Sequence, residues 1–161
     1  MFKVSFKETK DNPAKVVYKA GGITTVTLKG KADLPDFWPY IPPYIMEWVK
    51  EQLRIELYEN YADNTLLVYA EGTAKCREDD KYDAVLGERI AESRAMIDIY
   101  SFFYKLCCKL YDYYSSLLFG AEGIVAKGSG WSIEAAVRKY EKLWVCESKH
   151  LGELIKDNSN V

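Results

Sequence analysis

The chain has 161 residues, of which 48% are hydrophobic and 29% are charged. This length suits one domain with a substantial core, and this composition excludes an intrinsically disordered chain. The net charge of −2 conceals an asymmetry, because residues 1–32 carry seven lysines against two acids and residues 33–64 carry two basic residues against seven acids. Such a split fits either a polyanion site at one end or complementary faces within the chain. The absence of arginine from residues 1–32 favours complementary faces.

The first third of the chain predicts an antiparallel meander of short strands. Residues 2–6 alternate apolar and polar side chains, as in a half-buried strand, and the segment lacks the pattern of a signal peptide. Two further strands are predicted at 15–19 and 23–29. Gly21 and Gly22 lie between them and are typical of a tight hairpin turn.

A proline-rich segment follows and separates the meander from the next elements. Its prolines exclude a continuous helix, but Pro43 suits the first turn of a short helix. Alternation then predicts a hairpin between residues 53–58 and 65–75, although a helix extended over 44–59 also fits. Gly72 predicts a bulge in the return strand.

The most apolar part of the chain predicts one long helix, from near Asp83, which we predict to cap it, to Gly120. Residues 96–119 are apolar on almost every side, yet four charged residues interrupt them, too many for a comfortable membrane span. A helix of this kind is either buried on several sides or paired with another chain. The sequence therefore leaves two predictions open: burial of this helix within the chain, or homodimerisation through it.

The last segment predicts a short strand, a glycine-rich turn and a helix capped by Ser132. No repeat or long linker divides the chain. The predicted fold class is therefore α+β, with an antiparallel sheet packed against one long helix and a C-terminal helix. We predict a single domain over residues 1–156 and a disordered tail over 157–161.

No segment carries a convincing catalytic or cofactor-binding motif. The four cysteines lack the spaced pairs of a zinc site, and His150 is the one histidine. The acidic segment 78–83 lacks the alternation and central glycine of an EF-hand. Residues 123–130 place their lysine before the last glycine, whereas a phosphate-binding P-loop places it after. We therefore predict no cofactor and no metal, and a divalent-metal-dependent enzyme ranks third among the functions.

One stretch is similar to known proteins. The order of its small and polar residues resembles that of small bacterial and phage proteins with a double-stranded-RNA-binding-like fold. The residues concerned, all within 70–95, are Gly72, Ala74, Cys76, Asp80, Asp83, Gly87, Ile90, Ala91, Arg94 and Ala95. The resemblance implies a hairpin, an acidic turn and a helix packed closely on the sheet through Gly87 and Ala91. Residues 122–140 resemble the strand–turn–helix of HicB-like antitoxins, and both resemblances imply a binding protein of phage or mobile-element type.

The leading hypothesis is a non-enzymatic binding protein that acts on a host protein in the cytoplasm. It would be an anti-CRISPR-like inhibitor of a host defence nuclease, acting through an acidic surface. The carboxylates predicted for that surface are Asp79, Asp80, Asp83, Glu56, Glu59 and Asp63. The alternative is nucleic-acid binding by a lysine-rich N-terminal sheet, with aromatic rings for stacking. Its lysines are Lys3, Lys7, Lys15 and Lys19.

Overall fold

Strands come first in the chain and long helices last. The computed structural model describes residues 3–5, 14–33, 41–52, 65–75, 83–117 and 123–158. The strands are β1 (Lys3–Ser5), β2 (Lys15–Ala20), β3 (Ile23–Asp33) and β4 (Thr65–Lys75). The helices are α1 (Pro43–Gln52), α2 (Ala84–Leu117) and α3 (Gly123–Asn158). This is the α+β class that the sequence predicts.

The long strand β3 organises the sheet. Along one edge it pairs antiparallel with β1 at residues 31–33 and with β2 at residues 23–28. Along the other edge β4 pairs antiparallel with the whole of β3. The β2–β3 hairpin is confirmed, since Gly21 and Gly22 have φ values of 56° and 74°, the positive angles that a type I′ turn requires.

The bulge predicted at Gly72 is wrong. The register between β3 and β4 runs without interruption, and Gly72 lies opposite Val26. A glycine is present because α2 crosses the strand there. A Cβ atom at this position would lie 2.7 Å from the backbone nitrogen of Ala95 and 2.9 Å from the carbonyl carbon of Ala91. Gly72 therefore permits close approach of two backbones.

Helix α2 lies between the sheet and α3. It packs against β3 and β4 on one side and along α3 on another, and α1 also contacts it. Its buried side chains recur every three or four residues, as expected for a helical core stripe. They are Ala91, Ala95, Ile99, Phe103, Leu106 and Leu110. The apolar helix is thus buried on several sides within the chain, and homodimerisation stays a prediction.

The C-terminal segment corrects two expectations. The strand, the turn and the Ser132 cap predicted for this segment are wrong, because α3 is continuous from Gly123 to Asn158 and Ser132 lies within it. Extending an existing helix needs no new nucleation, and each helical glycine costs only about 1 kcal/mol. Residues 157–158, predicted to belong to a disordered tail, are helical, and residues 159–161 lie outside the described residues.

The short helix after the prolines is confirmed. Pro43 is the first residue of α1, and Ile45 and Val49 on that helix are fully buried. Residues 53–58, predicted to pair with β4, lie outside the described residues. In the part of the chain that is described, no helix is both long and apolar enough to span a bilayer.

Candidate functional site

Lys15 and Lys19 of β2 form ion pairs with carboxylates of the same chain. The Lys15 ammonium lies 2.8 Å from Glu88 and 2.7 Å from Glu92, and the Lys19 ammonium lies 2.8 Å from Glu88. Partial burial opposes charge on Lys15, but the hydrogen bonds to Glu88 and Glu92 outweigh it and raise the Lys15 pKa. The hydrogen bonds from Lys15 and Lys19 lower the Glu88 pKa to about 2.

These ion pairs bear on the nucleic-acid alternative. They neutralise two of its four lysines within the chain, and the side chain of Lys3 and all of Lys7 lie outside the described residues. The pairing fits the expectation of complementary faces. The carboxylates that provide it are on α2, whereas the sequence asymmetry pointed to residues 33–64.

Asp83 caps α2. Its Oδ1 accepts hydrogen bonds from the backbone N–H groups of Val85 at 2.8 Å and Leu86 at 3.0 Å. These bonds lower the Asp83 pKa and satisfy N–H groups that the helix itself leaves unpaired. The capping role predicted for this carboxylate is confirmed. The other predicted acids, Asp79, Asp80, Glu56, Glu59 and Asp63, lie outside the described residues.

The acidic segment joins the sheet beside an exposed apolar surface. Lys75, the last residue of β4, pairs with Ile23 next to the Gly21–Gly22 turn, and the next described residue is Asp83. The apolar patch consists of Val16, Tyr18 and Ile23, exposed by 41%, 68% and 38%, and it runs along one face of the sheet from Ile23 at this end to Val16, opposite Thr27. Exposed apolar clusters at one place on a surface mark interaction sites.

Sequence reasoning missed the apolar patch because β2 directs apolar side chains to the exposed face of the sheet and lysines to the face that α2 covers. Val16 and Tyr18 are exposed, while Lys15 and Lys19 reach towards the carboxylates of α2. The alternation itself was visible, since successive residues of a strand point to opposite faces. The signal for the correct face was the pair of acids spaced four residues apart on α2, which lysines can reach.

A cleft of about 550 Å³ lies between β4, α1 and α2, and we call it the β4 cleft. Its floor includes the buried residues Ile99 and Phe102. Its other lining residues are Thr27, Trp48, Gln52, Tyr69, Ala70, Glu71, Asp98, Ser101 and Lys105. A volume of this size is ordinary for a small-ligand or side-chain site.

Aromatic rings and charges share the β4 cleft. Trp48 stacks on Phe102 with ring centroids 5.9 Å apart and planes 6° apart. The Lys109 ammonium lies 5.0 Å from the centre of the Trp48 ring. Partial burial raises the pKa of Asp98, and the positive charge of Lys105 opposes that rise. The cleft therefore combines an aromatic wall with two exposed carboxylates, Glu71 and Asp98, and the cation Lys105.

A second cleft of about 390 Å³ lies between β2, α2 and α3. Ser93, buried on α2, donates a hydrogen bond of 2.5 Å to the Glu147 carboxylate, and His150 is exposed on the same wall. Activation of a serine nucleophile requires a base that accepts its proton, usually histidine. Because Ser93 is bonded to a carboxylate of α3, the pair joins two helices and does not form that arrangement.

The thiols differ in exposure. Cys107 is buried, Cys108 is half-buried, and Cys146 is exposed. Burial, together with the neighbouring Cys108, raises the pKa of the Cys107 thiol to about 12. Cys76 lies outside the described residues. Across the residues that are described, no three potential ligands among His, Cys, Asp and Glu come together as a metal site.

Comparisons with protein-family models, curated proteins and solved structures found no match for this chain. Any functional conclusion therefore rests on the geometry described above.

Proposed function

We propose that this protein is a non-enzymatic binding protein of phage or mobile-element type that acts on a host protein. The observation that carries the proposal is the apolar patch of Val16, Tyr18 and Ile23, which begins at Ile23, opposite the residue of β4 from which the acidic segment leaves the sheet. Tyr18 alone is 68% exposed. A tyrosine supplies apolar contact area with a polar tip and few rotatable bonds, which is why tyrosines are enriched in protein interfaces.

The charge near the patch supports a basic partner. From Lys75 to Asp83 the chain carries four carboxylates, Glu78, Asp79, Asp80 and Asp83, against Lys75, Arg77 and Lys81, a net charge of −1. Lys19, the cation of β2 next to Tyr18 in the chain, is already paired with Glu88. A segment with an excess of carboxylates that joins the sheet next to an apolar side chain suits a partner whose surface is basic, since such charges steer association and disfavour acidic partners.

A nuclease of host defence is the partner class that we infer. Its nucleic-acid channel is basic, so carboxylates presented beside an apolar anchor would block that channel. The anti-CRISPR-like assignment rests on this charge argument and on the resemblance of residues 70–95 to phage proteins. It is a proposal about the partner, separate from the proposal that the patch binds protein.

The test is an affinity capture from host lysate with the purified chain, with and without nuclease treatment, at low and high salt. We expect a discrete protein that survives nuclease. The double variant Tyr18→Ser, Ile23→Ser should lose that protein while its circular dichroism and melting temperature stay unchanged. The matched control is Val145→Ser, which removes an apolar side chain that is 57% exposed on α3. Retention of the partner by the double variant would remove the apolar patch from the proposal.

The acidic contribution needs a separate pair of variants. Asp79→Lys with Asp80→Lys should weaken capture, most strongly at low salt. Asp83→Asn is the better change at the third position, because asparagine still caps a helix and lysine does not. If the captured molecule is instead nucleic acid, is released by salt, and is lost on neutralising Lys3 and Lys7, the alternative function is correct.

A further inference from the structure

We propose that the outer edge of β2 pairs with the same edge of a second copy of this chain, so that the two sheets join into one. β2 is the last strand on its side of the sheet, and no strand pairs with its outer edge in the part of the chain that the structure describes. Residues 16–20 are all exposed. An exposed strand edge is a template for the addition of another strand. The proposal goes beyond the proposed function, because it concerns the edge of β2 and not the apolar patch on its face.

The backbone of β2 directs alternate residues towards that edge. The Lys29 N–H donates a hydrogen bond of 2.8 Å to the Ala14 carbonyl, so these two residues form a hydrogen-bonded pair. Hydrogen-bonded pairs alternate with the other kind along an antiparallel ladder, and residues 16, 18 and 20 therefore continue the bonding to β3. The residues between them, Lys15, Val17 and Lys19, direct their N–H and C=O groups away from β3. An added strand would bond these groups.

The sequence of β2 is nearly symmetrical about Val17, which has an apolar neighbour on each side and a lysine beyond each neighbour. An antiparallel pair of such strands centred on Val17 places apolar side chains opposite each other. Val16 would lie opposite Tyr18 of the second copy on the exposed face, and Val17 would lie opposite Val17 of the second copy on the helix side. Cross-strand apolar pairs stabilise a sheet, and an interface with two-fold symmetry requires this kind of self-complementarity.

The charges of β2 are already neutralised for this pairing. The register would place Lys15 opposite Lys19 of the second copy, and lysines on an edge strand usually prevent strand pairing. Here the Lys15 ammonium lies 2.7 Å from Glu92, and both lysine ammonium groups lie 2.8 Å from Glu88. Each copy therefore brings a carboxylate for every lysine to the junction. A second copy matches this edge in backbone, apolar side chains and charge.

The test is sedimentation velocity of the purified chain over a concentration series. We expect a reversible dimer whose population rises between about 10 μM and about 1 mM, because an interface made by one short strand is small. Val17→Lys and Val17→Glu should each weaken the dimer about tenfold, since like charges would meet on the two-fold axis. An equimolar mixture of the two variants should restore a dimer, because opposite charges then meet there. The matched control is Val145→Lys, which changes an exposed valine on α3 and should leave the dimer unchanged.

Amide hydrogen exchange locates the interface. As the concentration rises, exchange of the Lys15, Val17 and Lys19 amides should slow, whereas the Val16 and Tyr18 amides, which already bond to β3, should change little. A chain that stays monomeric up to about 1 mM would overturn the proposal. A dimer that persists in Val17→Lys, with unchanged circular dichroism, would overturn it as well and would favour pairing through α2. Failure of the mixture to restore the dimer would reject the pairing about Val17.

These outcomes are distinguishable from those of the lysate capture. Val17 pairs with the fully buried Val26 and therefore lies on the helix side of the sheet, whereas the apolar patch lies on the other face. Loss of the dimer with capture of the host protein retained would support the β2 edge as a self-association site. A monomeric chain whose Val17→Lys variant no longer captures the host protein would instead assign this edge to that protein and overturn the proposal.

Discussion

Replacing Gly72 by alanine tests the contact that joins the sheet to α2. The added Cβ would lie 2.7 Å from the backbone nitrogen of Ala95, whereas ordinary contact begins at 3.4 Å. Helix and strand would have to separate by about 0.7 Å at that atom, and by more at the Ala91 carbonyl oxygen. Every neighbour concerned is backbone, so no side chain can rotate away.

The cost follows from overpacking in a rigid core. Extra methylene groups in a packed core cost about 1–3 kcal/mol, and we expect the upper end because the fully buried Val26 and Ala95 must move together. This loss exceeds the gain of about 0.4–1 kcal/mol that alanine brings by restricting the unfolded chain. For a domain of this size, a loss of about 3 kcal/mol lowers the melting temperature by about 6–12 °C.

Two other glycines provide matched controls. A Cβ at Gly152 on α3 would meet nothing within 4 Å, so Gly152→Ala should stabilise the protein by up to about 1 kcal/mol. A Cβ at Gly87 would lie 3.0 Å from the Oγ1 of the buried Thr24. That contact offsets the helix-propensity gain, and Gly87→Ala should fall between the other two.

The assay is urea unfolding followed by far-ultraviolet circular dichroism, with a thermal melt as the second measure. Equal slopes of the free energy of unfolding against urea would show that the variants unfold in the same way. If the free energy of unfolding of Gly72→Ala lies within about 1 kcal/mol of that of the parent chain, the close approach of α2 to β4 is refuted. If all three alanine variants gain stability, helix and strand propensities alone govern these positions.

Three further predictions concern ionisable groups and thiols. The Glu88 pKa, about 2 against an ordinary 4.5, contributes stability that is present above pH 4.5 and is lost as the pH falls towards 2. The free energy of unfolding of Glu88→Gln should therefore depend less on pH in that window. An equal effect of Glu141→Gln, which changes an exposed carboxylate on α3, would contradict the assignment. Asp83→Ala should lower the melting temperature, and Asp83→Asn should lower it much less, because asparagine also caps a helix. An equal loss in both variants would show that the negative charge of Asp83, and not its capping hydrogen bonds, stabilises α2. Alkylation at pH 8, read by peptide mass spectrometry, should modify Cys146 in the folded chain. It should modify Cys107 only after the chain is unfolded, because the Cys107 thiol is buried and has a pKa of about 12. Modification of Cys107 in the folded chain would show that the core opens.

The parts of the fold that the sequence predicted correctly depend on local rules. The Gly21–Gly22 hairpin, the helix start at Pro43 and the cap at Asp83 each require only neighbouring residues. The strand and turn predicted before Ser132 are wrong because that prediction also used only neighbouring residues. Local glycine signals there are weaker than the continuity of a long helix that packs through Ile133 and Tyr140.

The candidate sites needed contacts between distant parts of the chain. The sequence marked the acidic segment, and the structure places its two ends beside Ile23 and the start of α2. Nothing in the local pattern of Trp48, Tyr69 or Asp98 indicates that they line one cleft. Their separation of tens of residues is bridged only when α1, β4 and α2 pack together.

The sequence alone determined the α+β class, the strand alternation and the cap of α2 at Asp83, because backbone geometry and side-chain periodicity act over a few residues. Only the tertiary structure decided which face of β2 would point outward. A strand's period of two allows either face to be buried, and the choice depends on what lies across from it. The pairing of β2 with β3 places Lys15 and Lys19 opposite the buried Leu28 and Thr24, on the helix side, where Glu88 and Glu92 pair with them, and it places Val16 and Tyr18 on the other, exposed face.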